Sequence, residues 1–167
     1  MKRIALFEIL PKDEYIKQYK EKFKIDAPKD AYEHIVKPRR ATAGSAGYDF
    51  VTPIDISLEV GQSVLIMTGI RVKIDEGWCL KVYPRSGLGT KYRCQLDNTV
   101  GIIDQDYYYS SNMGHIMIKI TNDGKEGKIL NIKAGERMCQ GIFEEFGITK
   151  DDEVSTVRDG GFGSTSM

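Results

Sequence analysis

His115-Ile116-Met117-Ile118-Lys119-Ile120-Thr121 places three isoleucines two residues apart, with Met117, Lys119 and Thr121 between them and at the end. Successive side chains of an extended chain point to opposite faces, so this spacing predicts a strand with one face buried and the other partly wet. Working outward, residues 63–74, 78–83, 128–132 and 138–146 are further short runs suited to strands, separated by Gly, Asp and Asn. Many short strands with Gly-rich turns favour an all-β sandwich or barrel over an α/β fold.

The glycines mark where this pattern begins. All 17 lie from Gly44 onward. The opening 43 residues carry 11 Lys and Arg against 7 Asp and Glu, about +4, and the rest of this neutral chain carries the balancing −4. Residues 4–10 suit one strand, and Pro11 suits a helix start. Tyr15, Ile16, Tyr19 and Phe23 then recur at helical spacing, which predicts an amphipathic helix over 12–23 with an aromatic packing face. The reading is one β domain over 1–157, with 1–39 a strand and helix extension, and a short arm over 158–167. Arg158 to Met167, RDGGFGSTSM, is too rich in Gly and Ser for a core strand and reads alone as a frayed tail.

Length and composition bound the function. A chain of 167 residues with 41% apolar residues folds as one domain of ordinary size. With 24 basic and 24 acidic residues it has no polybasic surface for nucleic acid and no acidic tail. No apolar stretch approaches a membrane span, and the first apolar run is too short for a signal peptide. Cys79, Cys94 and Cys139 form no CxxC pair, and only His34 and His115 could join them in a metal site. Three buried thiols in a reducing cytoplasm are the expectation. There is no GxxxxGK[ST] loop, no GxGxxG opening a helix and no GxSxG, which removes the common nucleotide-binding and serine hydrolase classes.

What carries chemistry is a series of polar, Gly-rich segments along the β pattern. Gly44-Ser-Ala-Gly-Tyr-Asp49 allows close backbone approach and puts Asp49 on an otherwise apolar strand. Pro84-Arg-Ser-Gly-Leu-Gly89 reads as a turn presenting a guanidinium, a hydroxyl and amides, groups that bind phosphate. In Asn98-Thr-Val-Gly-Ile-Ile-Asp104-Gln-Asp-Tyr107 two isoleucines precede Asp104, and desolvation there would raise its pKa toward a useful base. Gly135-Glu-Arg-Met-Cys-Gln140 and the terminal RDGGFGSTS complete the set. Taken singly, each has a plainer reading: Asp49 and Asp104 as turn caps, Arg85 as a surface charge.

In this order and spacing the five segments resemble the motifs of the trimeric deoxyuridine triphosphate nucleotidohydrolases, the dUTPases, from Arg40 to Ser166. The resemblance implies a jelly-roll-like distorted β-barrel subunit, assembled as a homotrimer with active sites shared between subunits. It implies hydrolysis of dUTP to dUMP and pyrophosphate, which keeps uracil out of DNA and supplies dUMP for thymidylate synthesis. Asp104 matches the catalytic carboxylate that deprotonates the water attacking the α-phosphorus. Tyr107 matches the residue under the deoxyribose, where a 2′-hydroxyl has no room. Asn98 with Gly101, Ile102, Ile103 and Asp104 matches the hairpin that reads uracil, and Met117 aligns beside it. Arg85, Ser86, Gly87 and Gln140 match phosphate contacts, and Asp49 an organiser of the site. Arg158, Phe162, Gly163, Ser164 and Thr165 match a mobile arm that closes over the substrate, Phe162 stacking on the base. The implied cofactor is Mg²⁺, held through the triphosphate and water without a protein ligand.

The sequence departs from the family pattern in places. Residues 108–113 intervene between Tyr107 and Gly114, a Tyr-rich insertion where a protein partner could dock. The arm is one residue shorter than in many members and ends Ser-Thr-Ser. Two other functions fit the same fold: a dCTP deaminase and a regulatory nucleotide-sensing trimer. The deaminases place a glutamate near Lys119 and lack the arm.

Overall fold

A computed structural model describes residues 1–156 of the chain. The strands are β1 (Ala5–Ile9), β2 (Arg39–Arg40), β3 (Tyr48–Val51), β4 (Ile56–Leu58), β5 (Ser63–Met67) and β6 (Ile70–Ile74). They continue as β7 (Trp78–Pro84), β8 (Cys94–Leu96), β9 (Gly101–Ile103), β10 (Met117–Asn122), β11 (Leu130–Ile132) and β12 (Arg137–Glu145). Two helices, α1 (Lys12–Phe23) and α2 (Ser86–Tyr92), and two short 3₁₀ turns complete the described elements. The protein is mostly β, as the alternating runs predict.

The strands form four sheets rather than one continuous ring. A five-stranded sheet runs β2-β3-β12-β7-β9 and a three-stranded sheet runs β5-β10-β8, with β1-β6 and β11-β4 as two-stranded ribbons. Within β10, Ile118 and Ile120 are buried while Lys119 between them is exposed. Those isoleucines join one apolar core with Ile66, Leu80, Val82 and Met138. The β1-β6 ribbon is fastened to the large sheet by aromatic rings. Phe7 meets Tyr48, Phe50 and Phe143 at centroid separations of 5.4, 5.7 and 5.7 Å, tilted and edge-on geometries that favour ring pairs.

Three local expectations change. Residues 63–74 are two strands, not one, because Gly69 takes a φ of +69° and sends β5 and β6 into different sheets. A side chain there would also strike Ile35, 2.2 Å from an ideal Cβ. Residues 86–92 form a helix where a simple turn is expected. The aromatic face of α1 buries Tyr15 and Tyr19, but Ile16 is 40% exposed and Gln18 is buried in its stead. Strand ends elsewhere shift by one or two residues, so that His115 and Ile116 precede β10 as a buried lead-in. All three cysteines are free and buried, and among the described residues no helix is long and apolar enough to cross a membrane.

Candidate active site

The chain turns at 97–100 between β8 and β9, which do not pair with each other. β8 joins β10 and β9 joins β7, so the turn spans two sheets and opens a cavity of about 510 Å³ between them. Asn98, Gly101, Ile102, Ile103, Asp104, Tyr107 and Met117 all line it. Asp104 follows the last residue of β9 and starts the 3₁₀ turn Gln105–Tyr109, where its carbonyl accepts the Tyr107 amide at 3.2 Å. That turn brings Tyr107, a buried residue, to the cavity wall. The wall is apolar where Ile103, Ile116 and Ile118 contribute and polar where Asn98, Asp97 and Asp104 do. An apolar chamber with a few convergent polar groups suits a small organic ligand.

Asp97 and Lys119 also line this cavity, and the motif reading does not include them. The Lys119 ammonium lies 2.7 Å from the Asp97 carboxylate, which also takes a hydrogen bond from the Thr121 hydroxyl. Burial works against the Asp97 anion, but the Lys119 and Thr121 contacts outweigh it and hold its pKa below the usual carboxylate range. The alternating polar face of β10 signals Lys119, though not its partner.

A second group of site residues lies elsewhere on the chain. Asp49 on β3 stands opposite Gln140 on β12 in the ladder. Its two carboxylate oxygens face Arg85 at 3.5 Å and Arg137 at 3.1 Å. Gly47 allows Gln140 to close over the strand, since a side chain there would sit 2.7 Å from its Oε1. Arg85 is the residue before α2, and Ser86 and Gly87, both exposed, begin that helix. This polar ledge does not line the cavity, so within one chain the site residues fall into two halves. Arg137 is the residue missed here; its place three positions before Gln140, opposite Val51 in the ladder, gives no sequence signal of a contact with Asp49. Asp49, engaged by two guanidiniums, fixes arginines more readily than it would hold a cation. Among the described residues no group of three or more His, Cys, Asp or Glu converges as a metal site. Arg158, Phe162, Gly163, Ser164 and Thr165 lie outside the described residues.

The insertion is docked against the N-terminal extension. The Tyr108 hydroxyl donates to Glu8 of β1 at 2.7 Å, and Arg71 of β6 lies 4.2 Å from the Tyr108 ring while pairing with Glu8 at 2.7 Å. The Tyr108 hydroxyl, and after it Arg71, hold the Glu8 carboxyl below its ordinary pKa against the opposing effect of burial. Gly114, with a φ of +71° and Tyr108 Cα 2.7 Å from an ideal Cβ, closes the insertion where no side chain fits. Of its two tyrosines, Tyr108 and Tyr109, only Tyr109 is largely exposed, at 70%.

The dUTPase family description matches residues 33–166. The deoxyuridine 5′-triphosphate nucleotidohydrolase of Lactococcus lactis is 39% identical over 131 residues, covering 77% of this chain and 86% of the relative. That of Haemophilus ducreyi is 42% identical over 134 residues, covering 75% and 84%. Among solved structures, the dUTPase from Streptococcus mutans matches with a TM-score of 0.64 at 30% identity, covering 86% of this chain and 98% of its own. The dUTPase from phage phi11 of S. aureus has the same fold at 19% identity, with a TM-score of 0.64 over 97% and 99% of the two chains. With its described motif residues at one cavity and one ledge, and with this span of similarity, the chain belongs to the dUTPase family.

Proposed function

We propose that the chain hydrolyses dUTP to dUMP and pyrophosphate at a site assembled from the cavity of one subunit and the ledge of another. The observation that carries this reading is that Asp104 and Tyr107 line one cavity with Asn98 and the backbone of 101–103. Asn98 and the β9 backbone would read the uracil edge, and the Tyr107 ring would lie under the deoxyribose. Asp104 would hold the attacking water and take its proton as the new oxygen–phosphorus bond forms at the α-phosphorus. The bond from that phosphorus to the bridging oxygen then breaks, and pyrophosphate leaves with the electron pair. Such a transfer asks the protein mainly for positioning and charge neutralisation. Arg85, with Asp49 and Arg137 behind it, and Gln140 would supply these on the phosphate side. Mg²⁺, bound through the triphosphate and water, would neutralise further charge there.

The separation of cavity and ledge within one chain supports a homotrimer with shared sites. The arm, 158–167, would close the assembled site, with Phe162 on the base and Arg158, Gly163, Ser164 and Thr165 on the phosphates. Lys119 at the cavity wall, paired with Asp97, supports hydrolysis over deamination, for which a glutamate would be needed in that region. A protein partner at the insertion would meet Tyr109. The test is pyrophosphate release with magnesium from dUTP, dCTP, dTTP and UTP: dUTP alone should be turned over well. Ammonia release from dCTP would assign the cavity to deamination.

A further inference from the structure

Residues 1–32 lie outside the family match, yet α1 reaches the cavity through a closed set of hydrogen bonds. Gln18 Nε2 donates to the Asn112 carbonyl at 3.0 Å and to Glu14 at 2.9 Å, while Gln18 Oε1 lies 2.8 Å from His115 Nδ1. His115 Nε2 accepts the Gly69 amide at 2.9 Å, so the ring proton must sit on Nδ1 and point at Gln18. Asn112 in turn donates from Nδ2 to the Tyr107 hydroxyl at 2.9 Å, and that hydroxyl donates to the His115 carbonyl at 2.8 Å. The Asn112 Oδ1 is occupied by the Ser110 hydroxyl and the Gly114 amide. Gln18, His115 and Tyr107 are all buried. Tyr107 is thus held at its hydroxyl by Asn112 of the insertion and the His115 carbonyl, and Gln18 of α1 braces both residues beside the Tyr108–Glu8 contact.

We infer that Gln18 and Asn112 are positioning residues for the nucleotide site: through the 110–115 segment they fix the Tyr107 ring, and so set discrimination against ribonucleotides. The inference rests on the reading of the cavity as the nucleoside pocket. Its physical basis is that rejecting a single 2′-oxygen is a steric task. A ring excludes one atom only if it is held within about 0.5 Å of its place, which requires a supporting shell with its own hydrogen bonds filled. A buried polar network rigidifies when every member is satisfied, and each polar atom of Gln18 and Asn112 described above has a partner.

The test measures kcat/KM for dUTP and UTP with the full-length chain, as wild type, Gln18→Ala, Asn112→Ser and Tyr19→Leu. Tyr19 packs on Tyr15 and Phe23 and makes none of the hydrogen bonds above, so its replacement loosens the packing of α1 while leaving those hydrogen bonds in place. Each variant removes several hydrogen bonds, but a loosened Tyr107 ring counts in discrimination as about one buried hydrogen bond, so the preference for dUTP over UTP should fall by about tenfold. That fall is expected in Gln18→Ala and Asn112→Ser, chiefly through gained UTP turnover, and not in Tyr19→Leu. An unchanged preference in a folded Gln18 or Asn112 variant overturns the inference, as does an equal loss in Tyr19→Leu. If Gln18→Ala fails to melt cooperatively, Asn112→Ser decides alone, since it leaves α1 and the contact of Gln18 with the His115 ring in place. A wild type that does not prefer dUTP to UTP overturns the reading of the cavity itself, a result visible before any variant is made.

Discussion

Asp49 and Arg85 face each other at 3.5 Å on the ledge, and the second oxygen of the same carboxylate holds Arg137 at 3.1 Å. Both arginines are partly exposed, so the pairs contribute little to stability. Their value is geometric: one carboxylate sets the direction of the guanidinium assigned to phosphate. Asp49→Ala should therefore leave the melting temperature close to wild type and lower kcat/KM for dUTP by about 10–100-fold, the usual consequence of misplacing a positioning group by an ångström. Inhibition by deoxyuridine, which has no phosphate, should be unchanged. Equal weakening of both ligands would place Asp49 in the nucleoside half.

Asp104→Asn keeps size and hydrogen-bonding capacity and removes the proposed base. General-base catalysis is commonly worth about 10²–10⁴-fold, so kcat should fall by that order while dUTP binding survives. Retention of near-normal kcat would move the role to Asp49 or Asp106.

His115 offers a pH signature of the α1 network. Burial drives its pKa from 6.5 down to about 4, so the folded protein keeps it neutral. Between those values the unfolded chain binds the extra proton, so stability rises with pH across this window and is fully present above 6.5. It is lost progressively as pH falls from 6.5 toward 4, by at most about 3 kcal/mol. In urea melts across this window, the difference between wild type and His115→Asn should shrink as pH falls. A constant difference would mean that His115 titrates alike in the folded and unfolded chain.

The sequence exposes periodic features and hides those made by distant polar contacts. Ile118 and Ile120 announce β10, and Pro11 with Tyr15 and Tyr19 announces α1, because burial of one face repeats at a fixed interval. The break at Gly69 is hidden, since apolar residues continue on both sides of it and only a positive φ ends β5. The motif segments point to Asp49, Asp104 and Tyr107 by residue type and order. That they divide between a cavity and a ledge depends on the order β3-β12-β7-β9 within one sheet, which sets β9 apart from β3 and which no local pattern encodes. Gln18 meets His115 across 97 positions and Asn112 across 94. A polar residue on an otherwise apolar helical face is the only trace such a contact leaves.

The arm provides the most exposed prediction. Truncation after Val157 removes Arg158, Phe162, Ser164 and Thr165, while every strand described above lies before Val157. Without ligand, the truncated protein should melt and assemble as the full chain does. Preorganised donors at a developing charge are commonly worth about 3–4 kcal/mol in the transition state, so kcat should drop by roughly 10²–10³. Binding of dUMP, which lacks the β- and γ-phosphates, should weaken far less. If the arm serves another subunit's site, truncated chains reassembled with Asp104→Asn chains should recover activity. Some mixed sites would then pair an intact Asp104 from the truncated chain with an intact arm from the variant chain, a combination neither parent forms. Mixed assemblies no more active than the sum of their parents would place the arm over its own subunit's cavity. Asp104 and the arm would then have to meet within one chain, and the cavity and ledge would have to be bridged there as well.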